Sequence, residues 1–146
     1  EIQAVIAKVQ LTKLDYIVNK NRNNYSIIES VLKEKKGIQT RRIPKKCNPL
    51  CDTLIIQFED TNKVNIFLKN LTASNIGTKN VPDAIEWHFA KYWTHILPII
   101  GKSKGELERL LQPSSNIIER CVALPIMVKT SSEEIEKIAE KVSNII

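Results

Sequence analysis

The first 35 residues carry an apolar stripe with the three- and four-residue spacing of a helix face. The stripe comprises Ile2, Val5, Ile6, Val9, Leu14, Ile17 and Val18, and it resumes at Ile28, Val31 and Leu32. No glycine or proline precedes Gly37, so the pattern predicts one long helix over residues 1–35. A helix with such a stripe must bury it against another part of a protein. No capping residue precedes Ile2, and we therefore expect the chain to be a fragment that begins inside a helix.

Two strands with a helix between them are predicted behind this N-terminal helix. Residues 53–59 alternate apolar and polar side chains, which is typical of a half-buried strand. A helix should follow, capped by Asp60 or Thr61 and closed by Gly77. Residues 122–128 form an apolar run that contains Pro125, so we expect a strand at the edge of a sheet.

The remaining segments complete the order of elements. Residues 78–100 have no clean period, with a possible helix around residues 92–96, and a short helix over 106–111 should stop before Pro113. Ser131 and Glu134 have the spacing of a capping box and should open a final helix. With 146 residues, one domain with one core is expected. The order predicts an α+β fold.

The net charge of +6 favours anionic partners, and no apolar run is long enough to span a membrane. Residues 33–46 hold seven lysines and arginines against one acid, and Pro44 makes the second half an extended loop. Three interpretations stand: contact with nucleic acid, contact with the phosphates of a small substrate, or a solvated edge. Since this stretch contains no aromatic residue, the solvated edge is favoured and the phosphate contact comes second.

The three cysteines indicate free thiols rather than a disulfide framework or a metal centre. Cys47 and Cys51 could supply half of a zinc site, with His88 or His95 completing it, but no second pair of ligands has regular spacing. An odd count suits a reducing cytoplasm. We therefore predict no metal site. Residues 101–103 read Gly-Lys-Ser but lack the earlier glycine and the preceding strand of a phosphate-binding loop.

The aromatic residues are concentrated in one segment. Of eight Phe, Trp and Tyr residues, four lie within seven positions, and both histidines lie in or beside the same stretch. These residues are Trp87, His88, Phe89, Tyr92, Trp93 and His95. One interpretation is a surface that meets a ligand or partner. The other is that Trp87, Phe89 and Trp93 cover the core beneath a long loop.

Several motifs resemble DegT-type sugar aminotransferases. Glu1-Ile2-Gln3-Ala4, then Gln10-Leu11-x-x-Leu14-Asp15-x-Ile17, then Asn21-Arg22-x-x-Tyr25 are similar to the helix that leads into the C-terminal domain of that family. The strand at 53–59, the segment from Trp87 to His95 and the Leu-Pro strand at 121–128 follow in the family's order. The Trp-His-Phe-Ala sequence at 87–90 departs from the commoner family phrase, which implies an unusual keto-sugar substrate.

The resemblance implies a fold and a cofactor. It implies the C-terminal small domain of the aspartate-aminotransferase-like (fold type I) enzymes, with a long N-terminal helix packed on a small, mostly antiparallel sheet. Residues 1–146 would be that single domain, and residues 1–35 would link it to a large, absent domain. The family uses pyridoxal phosphate, held by a lysine in the large domain. The resemblance therefore implies no catalytic and no cofactor-binding residue in this fragment, which would be inactive alone.

The resemblance also implies a substrate and a setting. Such enzymes move an amino group, usually from glutamate, onto a keto sugar that is often nucleotide-linked. Trp87, His88 and His95 would line the sugar side of the active site. The resemblance further implies a cytoplasmic homodimer that serves sugar biosynthesis, for example for lipopolysaccharide. The alternatives are a basic module that binds nucleic acid through residues 33–46, although nucleic acid is disfavoured, and a module that associates through its long helix.

Overall fold

The N-terminal stripe forms two helices in the computed structural model, which describes residues 2–146. Helix α1 runs over Ile2–Leu11 and helix α2 over Leu14–Leu32. The prediction of one unbroken helix is therefore wrong at residues 12–13, and Glu1 lies outside the described residues. The Thr12 hydroxyl donates to the carbonyl of Val9 at 2.8 Å, and the Lys13 amide bonds to Gln10 instead. Competition of this kind for a helix carbonyl bends or interrupts a helix.

The three strands form an antiparallel sheet with β2 in the centre. Strand β1 is Ile38–Thr40, β2 is Thr53–Phe58 and β3 is Cys121–Pro125, in the order β1-β2-β3. Leu54 lies opposite Leu124, and Ile56 lies opposite Val122. Strand β3 is thus an edge strand, as its proline predicted, although it ends at Pro125. Residues 79–81 cover its outer edge through two backbone bonds to Ala123, of 2.8 and 3.0 Å.

The core lies between the sheet and three helices. Helix α3 is Thr61–Ala73 and the last helix, α7, is Ser132–Asn144; both join α2 over the face of the sheet that carries Leu54 and Ile56. In β2 the buried residues alternate with half-buried ones, as the sequence predicted. The buried cluster includes Tyr25, Ile28 and Leu32 of α2, Val64, Phe67 and Leu71 of α3, and Ile135, Ala139 and Val142 of α7. The predicted α+β architecture is confirmed.

The ends of α3 follow local rules that the sequence revealed only in part. Asp60 is the N-cap, and its carboxylate accepts from the Lys63 amide at 2.9 Å, as predicted. The predicted closure at Gly77 is wrong, because Asn75 takes the left-handed conformation with φ 55°. The Ile76 amide then bonds to Leu71 and the Asn75 amide to Thr72, which is the Schellman pattern. Asparagine is the residue after glycine that best tolerates this conformation.

The segment between α3 and β3 is mostly helical from Ile85 onward. Helix α4 spans Ile85–His88, two 3₁₀ turns span Ala90–Tyr92 and Thr94–Ile96, and α5 spans Leu97–Ile100. Helix α6 spans Lys104–Ile118 and contains Pro113, so the prediction that Pro113 stops it is wrong. The helix continues because Ser115, in its last turn, is buried and bonded to other side chains. Ser103 caps α6 with Glu106, which accounts for the serine of the Gly-Lys-Ser triplet.

Helix α7 begins as predicted. The Ser131 hydroxyl accepts from the Glu134 amide at 3.2 Å, and the Glu134 carboxylate accepts from the Ser131 amide at 2.8 Å. This backbone contact lowers the pKa of Glu134 below its usual value. Among residues 2–146, no helix is long and apolar enough to cross a bilayer.

Helix α1 and the basic stretch lie outside the core. Helix α1 buries none of its residues, and the apolar side chains of its stripe are exposed. The second half of the basic stretch is a loop, as Pro44 predicted, although β1 occupies residues 38–40. The guanidinium of Arg22 donates to the carbonyls of Pro49 and Asn48 at 2.9 and 3.2 Å and holds the end of this loop.

Candidate functional site

The aromatic segment consists of helix α4 and the two 3₁₀ turns, which are joined by short-range contacts. Phe89 is buried, and its ring meets that of Tyr92 edge to face with centroids 6.2 Å apart. The indole nitrogen of Trp93 donates to the backbone carbonyl of Trp87 at 3.2 Å, which ties α4 to the turn that follows. Of the three rings that one interpretation placed over the core, Phe89 is thus buried, Trp93 is half-buried and Trp87 is exposed.

An open cleft lies along this segment, and we call it the aromatic cleft. Its lining is formed by Glu86, Trp87, Tyr92, Trp93 and His95, and its volume is about 670 Å³. The Trp87 side chain is 80% exposed. A large exposed aromatic surface beside a carboxylate and an imidazole can stack on an apolar ring face and bond its hydroxyl groups. No lysine or arginine lines this cleft among the described residues.

The three residues predicted to form a substrate wall occupy different positions. Trp87 and His95 both line the aromatic cleft. His88 is exposed at the end of α4 and is not part of the cleft lining. The structure therefore brings two of the three candidates together and leaves the third beside them.

A polar cluster around the buried Ser115 hydroxyl connects the aromatic segment to α6. The Lys91 ammonium donates to the Ser115 hydroxyl at 2.8 Å, and that hydroxyl donates to the Glu119 carboxylate at 2.6 Å. Lys91 also lies 3.4 Å from the same carboxylate oxygen. Ser115 is only 1% exposed, so its hydroxyl needs both partners to offset its burial. The bond from Ser115, with a smaller effect of Lys91, lowers the pKa of Glu119.

Replacing Ser115 by alanine should loosen this anchor and change its pH dependence. Because the pKa of Glu119 is lowered in the folded chain, its ionised carboxylate stabilises the fold fully above the ordinary carboxyl pKa. This stabilisation is lost as the pH falls through the folded-state pKa. In Ser115→Ala that value moves up toward normal, so the loss should begin at higher pH. An acid titration followed by intrinsic fluorescence checks this, because both tryptophans lie in the anchored segment.

Ser114→Ala is the matched control, because Ser114 is the exposed neighbour on the same helix turn. It should titrate like the wild type. Identical titrations of the Ser115→Ala and Ser114→Ala chains would show that the cluster does not hold the segment.

Sequence reasoning missed part of this site. Glu86 precedes the aromatic run by one residue and carried no signal of its own. The spacing of Ser115 and Glu119 is that of neighbours on one helix face and could have been found. Lys91 is 24 residues from Ser115 in the chain, so only the fold reveals their contact.

The cysteines do not form a metal centre with the histidines. Cys47 is exposed, whereas Cys51 and Cys121 are buried, and burial raises the pKa of both buried thiols. Over residues 2–146, no group of three or more His, Cys, Asp or Glu side chains is placed to hold a metal ion.

Comparison with solved structures shows where this architecture occurs. TlmJ, an aminotransferase from Streptoalloteichus hindustanus, superposes with a TM-score of 0.71 at 16% identity, over 97% of this chain and 35% of its own. 3-Amino-5-hydroxybenzoic acid synthase gives 0.68 at 15% identity, over 94% of this chain and 36% of its own. Spr1654 from Streptococcus pneumoniae, assigned as a sugar aminotransferase, has a TM-score of 0.67 at 14% identity. The superposition covers 94% of this chain and 32% of Spr1654. The chain thus spans about a third of the length of these structures.

The fold is therefore that of the fold type I aminotransferases, as the sequence resemblance implied. The comparison with curated proteins found no match. Residues 1–143 match the model of one family, described as the DegT/DnrJ/EryC1/StrS aminotransferase family. Since this match covers nearly the whole sequence, the chain belongs to the DegT/DnrJ/EryC1/StrS aminotransferase family.

Proposed function

We propose that this chain is the C-terminal domain of a pyridoxal-phosphate-dependent aminotransferase that acts on a keto sugar, and that it supplies the sugar-binding wall of the active site. The observation that carries the proposal is the aromatic cleft within a domain of this family. Trp87 would stack on the sugar ring, and His95 would bond its hydroxyl groups. His88 would contact parts of the substrate that extend beyond the cleft.

The charge of the cleft supports the uncharged part of a sugar as the group bound there. Apart from the phenol of Tyr92, its ionisable lining consists of Glu86 and His95. The exposed cations lie in the loop before β2, and they are Arg41, Arg42, Lys45 and Lys46. A nucleotide-linked substrate would place its sugar in the cleft and its phosphates elsewhere. The amino donor would be glutamate, as is usual in the family.

The catalytic lysine would lie in another part of the full-length protein, with the cofactor. Pyridoxal phosphate supplies the electron sink for amino transfer once it is bound to a lysine amine. Two partly buried lysines of this chain do not fit that role. Lys91 pairs with Glu119, and Lys79 lies 2.7 Å from Asp52 and lowers the pKa of that carboxyl. Both amines are thus already engaged by carboxylates of this chain.

The setting follows from the same proposal. The full-length enzyme would be a cytoplasmic homodimer, and it would serve the biosynthesis of amino sugars such as those of lipopolysaccharide. Helix α1, with its exposed apolar face, would pack on the domain that holds the cofactor.

Reductive trapping tests the position of the lysine. The chain is incubated with pyridoxal phosphate, reduced with borohydride and mapped by mass spectrometry. We expect low labelling spread over exposed lysines and no transamination of glutamate, since no lysine here fits the role. Lys79→Arg and Lys91→Arg should label as the wild type does. One lysine labelled to completion, with turnover that its arginine variant abolishes, would contradict the proposal.

The second candidate function is nucleic-acid binding through the exposed loop that carries Arg41, Arg42, Lys45 and Lys46. A gel-shift titration at two salt concentrations separates it from the first. Binding that weakens steeply with salt would favour this candidate. Weak and featureless binding would favour the aminotransferase domain.

A further inference from the structure

Two buried amides of α2 carry oxygens that no other group of the described chain satisfies. Asn24 is fully buried and Asn21 is 4% exposed, and within residues 2–146 the Oδ1 atom of each has no hydrogen-bond partner. An acceptor that leaves water without gaining a new donor is costly, and buried polar atoms are therefore nearly always paired. Both oxygens thus require a donor.

The two amides lie where α2 meets the start of α7. Residues three positions apart are neighbours on one face of a helix, so Asn21 and Asn24 lie side by side. The Asn24 amide nitrogen donates to the carbonyls of Met127 and Thr130, at 3.1 and 3.3 Å, in the loop between β3 and α7. Lys20, the residue before Asn21, bonds to the Ser132 hydroxyl at 3.4 Å. Asn21 therefore lies between two contacts that join α2 to this loop and to α7.

A third buried atom of residues 2–146 without a hydrogen-bond partner, the Tyr25 hydroxyl, has different surroundings. Burial and the nearby Glu29 carboxylate raise the pKa of that hydroxyl, so it has an acceptor within reach on its own helix. The two asparagine oxygens are acceptors themselves and cannot serve each other.

The chemistry around the two oxygens selects a small neutral donor. An anion offers no donor and is excluded. A cation is disfavoured, because the Lys20 ammonium lies beside the site and because the first turn of α7 carries the partial positive charge of a helix N-terminus. A water molecule donates two hydrogen bonds without bringing a charge, and buried waters commonly satisfy polar groups of this kind.

We propose that one buried water molecule binds between α2 and the start of α7, where it donates one hydrogen bond to Asn21 Oδ1 and one to Asn24 Oδ1. Through the Asn24 amide, the water belongs to a network that reaches the loop between β3 and α7. The proposed aminotransferase function makes no use of this site. The competing arrangement exchanges the oxygen and nitrogen of the Asn21 amide, so that its nitrogen donates directly to Asn24.

Water–protein NOE and ROE spectra of the ¹⁵N-labelled full chain test the proposal. We expect the side-chain amide protons of Asn24 to show dipolar cross-peaks with water, of the sign that indicates a water molecule tumbling with the protein. The ROE sign separates such contacts from hydrogen exchange. The Asn23 amide provides the internal control, because it is exposed on the same turn of α2 and should show no such cross-peak.

Replacing one of the two acceptors provides the decisive variant. Asn21→Leu should abolish the Asn24 cross-peaks, because the water loses an acceptor, whereas Asn23→Leu should keep them. If Asn21→Leu does not fold, the wild-type spectrum decides together with Asn21→Asp, which keeps an acceptor oxygen and should keep the cross-peaks. Absence of the cross-peaks from the wild type, their survival in a folded Asn21→Leu chain, or a scalar coupling across a direct bond between Asn21 and Asn24 would each overturn the proposal.

Discussion

Replacing Phe67 by alanine should destabilise the domain by about 3–5 kcal/mol. Phe67 is 1% exposed, and its ring centroid lies 4.9 Å from that of Phe58. Truncation removes the transfer free energy of the ring and leaves a cavity between α3 and the sheet. A domain of this size has a total stability of about 5–15 kcal/mol. Urea denaturation followed by circular dichroism should show a large drop in the midpoint.

Ile66→Ala is the matched control, because the adjacent side chain on α3 is 61% exposed. Its cost should be within about 0.5 kcal/mol of zero. Equal losses for the two variants would mean that α3 does not present the Phe67 face to the sheet.

Replacing Trp87 by alanine should weaken the binding of a nucleotide-linked sugar about 10-fold, if the aromatic cleft binds the sugar as proposed. An aromatic contact of this kind contributes about 0.5–1.5 kcal/mol beyond buried area. Trp87 is mostly exposed, so its loss should leave the fold intact. Isothermal titration calorimetry of the folded variant measures the change directly.

The two histidines provide the internal comparison for this experiment. His95→Ala should weaken binding through the lost hydrogen bond, because His95 lines the cleft. His88→Ala should have the smaller effect, because His88 lies outside the lining. A Trp87→Ala chain that binds the sugar as tightly as the wild type would exclude the stacking role.

Local chemistry made most of the fold predictable. The alternating apolar pattern predicted β2, and Pro125 predicted an edge strand. The caps at Asp60 and Ser131 predicted where α3 and α7 begin. Each of these features depends on residues within a few positions of one another. Strand β1 was not predicted, because three residues are too few to show an alternating pattern. It forms through its antiparallel pairing with β2.

The errors arose where a distant contact or an unexpected residue overrode a local rule. Pro113 did not end α6, because Ser115 beyond it bonds to Lys91 and Glu119. Asn75 replaced Gly77 as the left-handed residue after α3.

The sequence predicted which segment carries the candidate site, but not which of its side chains form the surface. Clustering of aromatic residues and histidines marked residues 87–95, and Trp87 and His95 do share one cleft. Which ring is buried could not be read from the sequence, because the segment has no period. The fold places Phe89 inward and leaves Trp87 exposed.

The most direct test of the central claim uses the two tryptophans, which both line the aromatic cleft. A ¹⁵N NMR spectrum should contain two indole N–H signals, and a Trp87→Phe variant assigns them. Titration with a nucleotide-linked keto sugar, up to about 10 mM, should shift the Trp87 signal saturably, whereas the nucleotide without its sugar should shift it far less. Indole signals that neither compound moves, or that the nucleotide alone moves equally, would contradict the assignment of this surface to the sugar substrate.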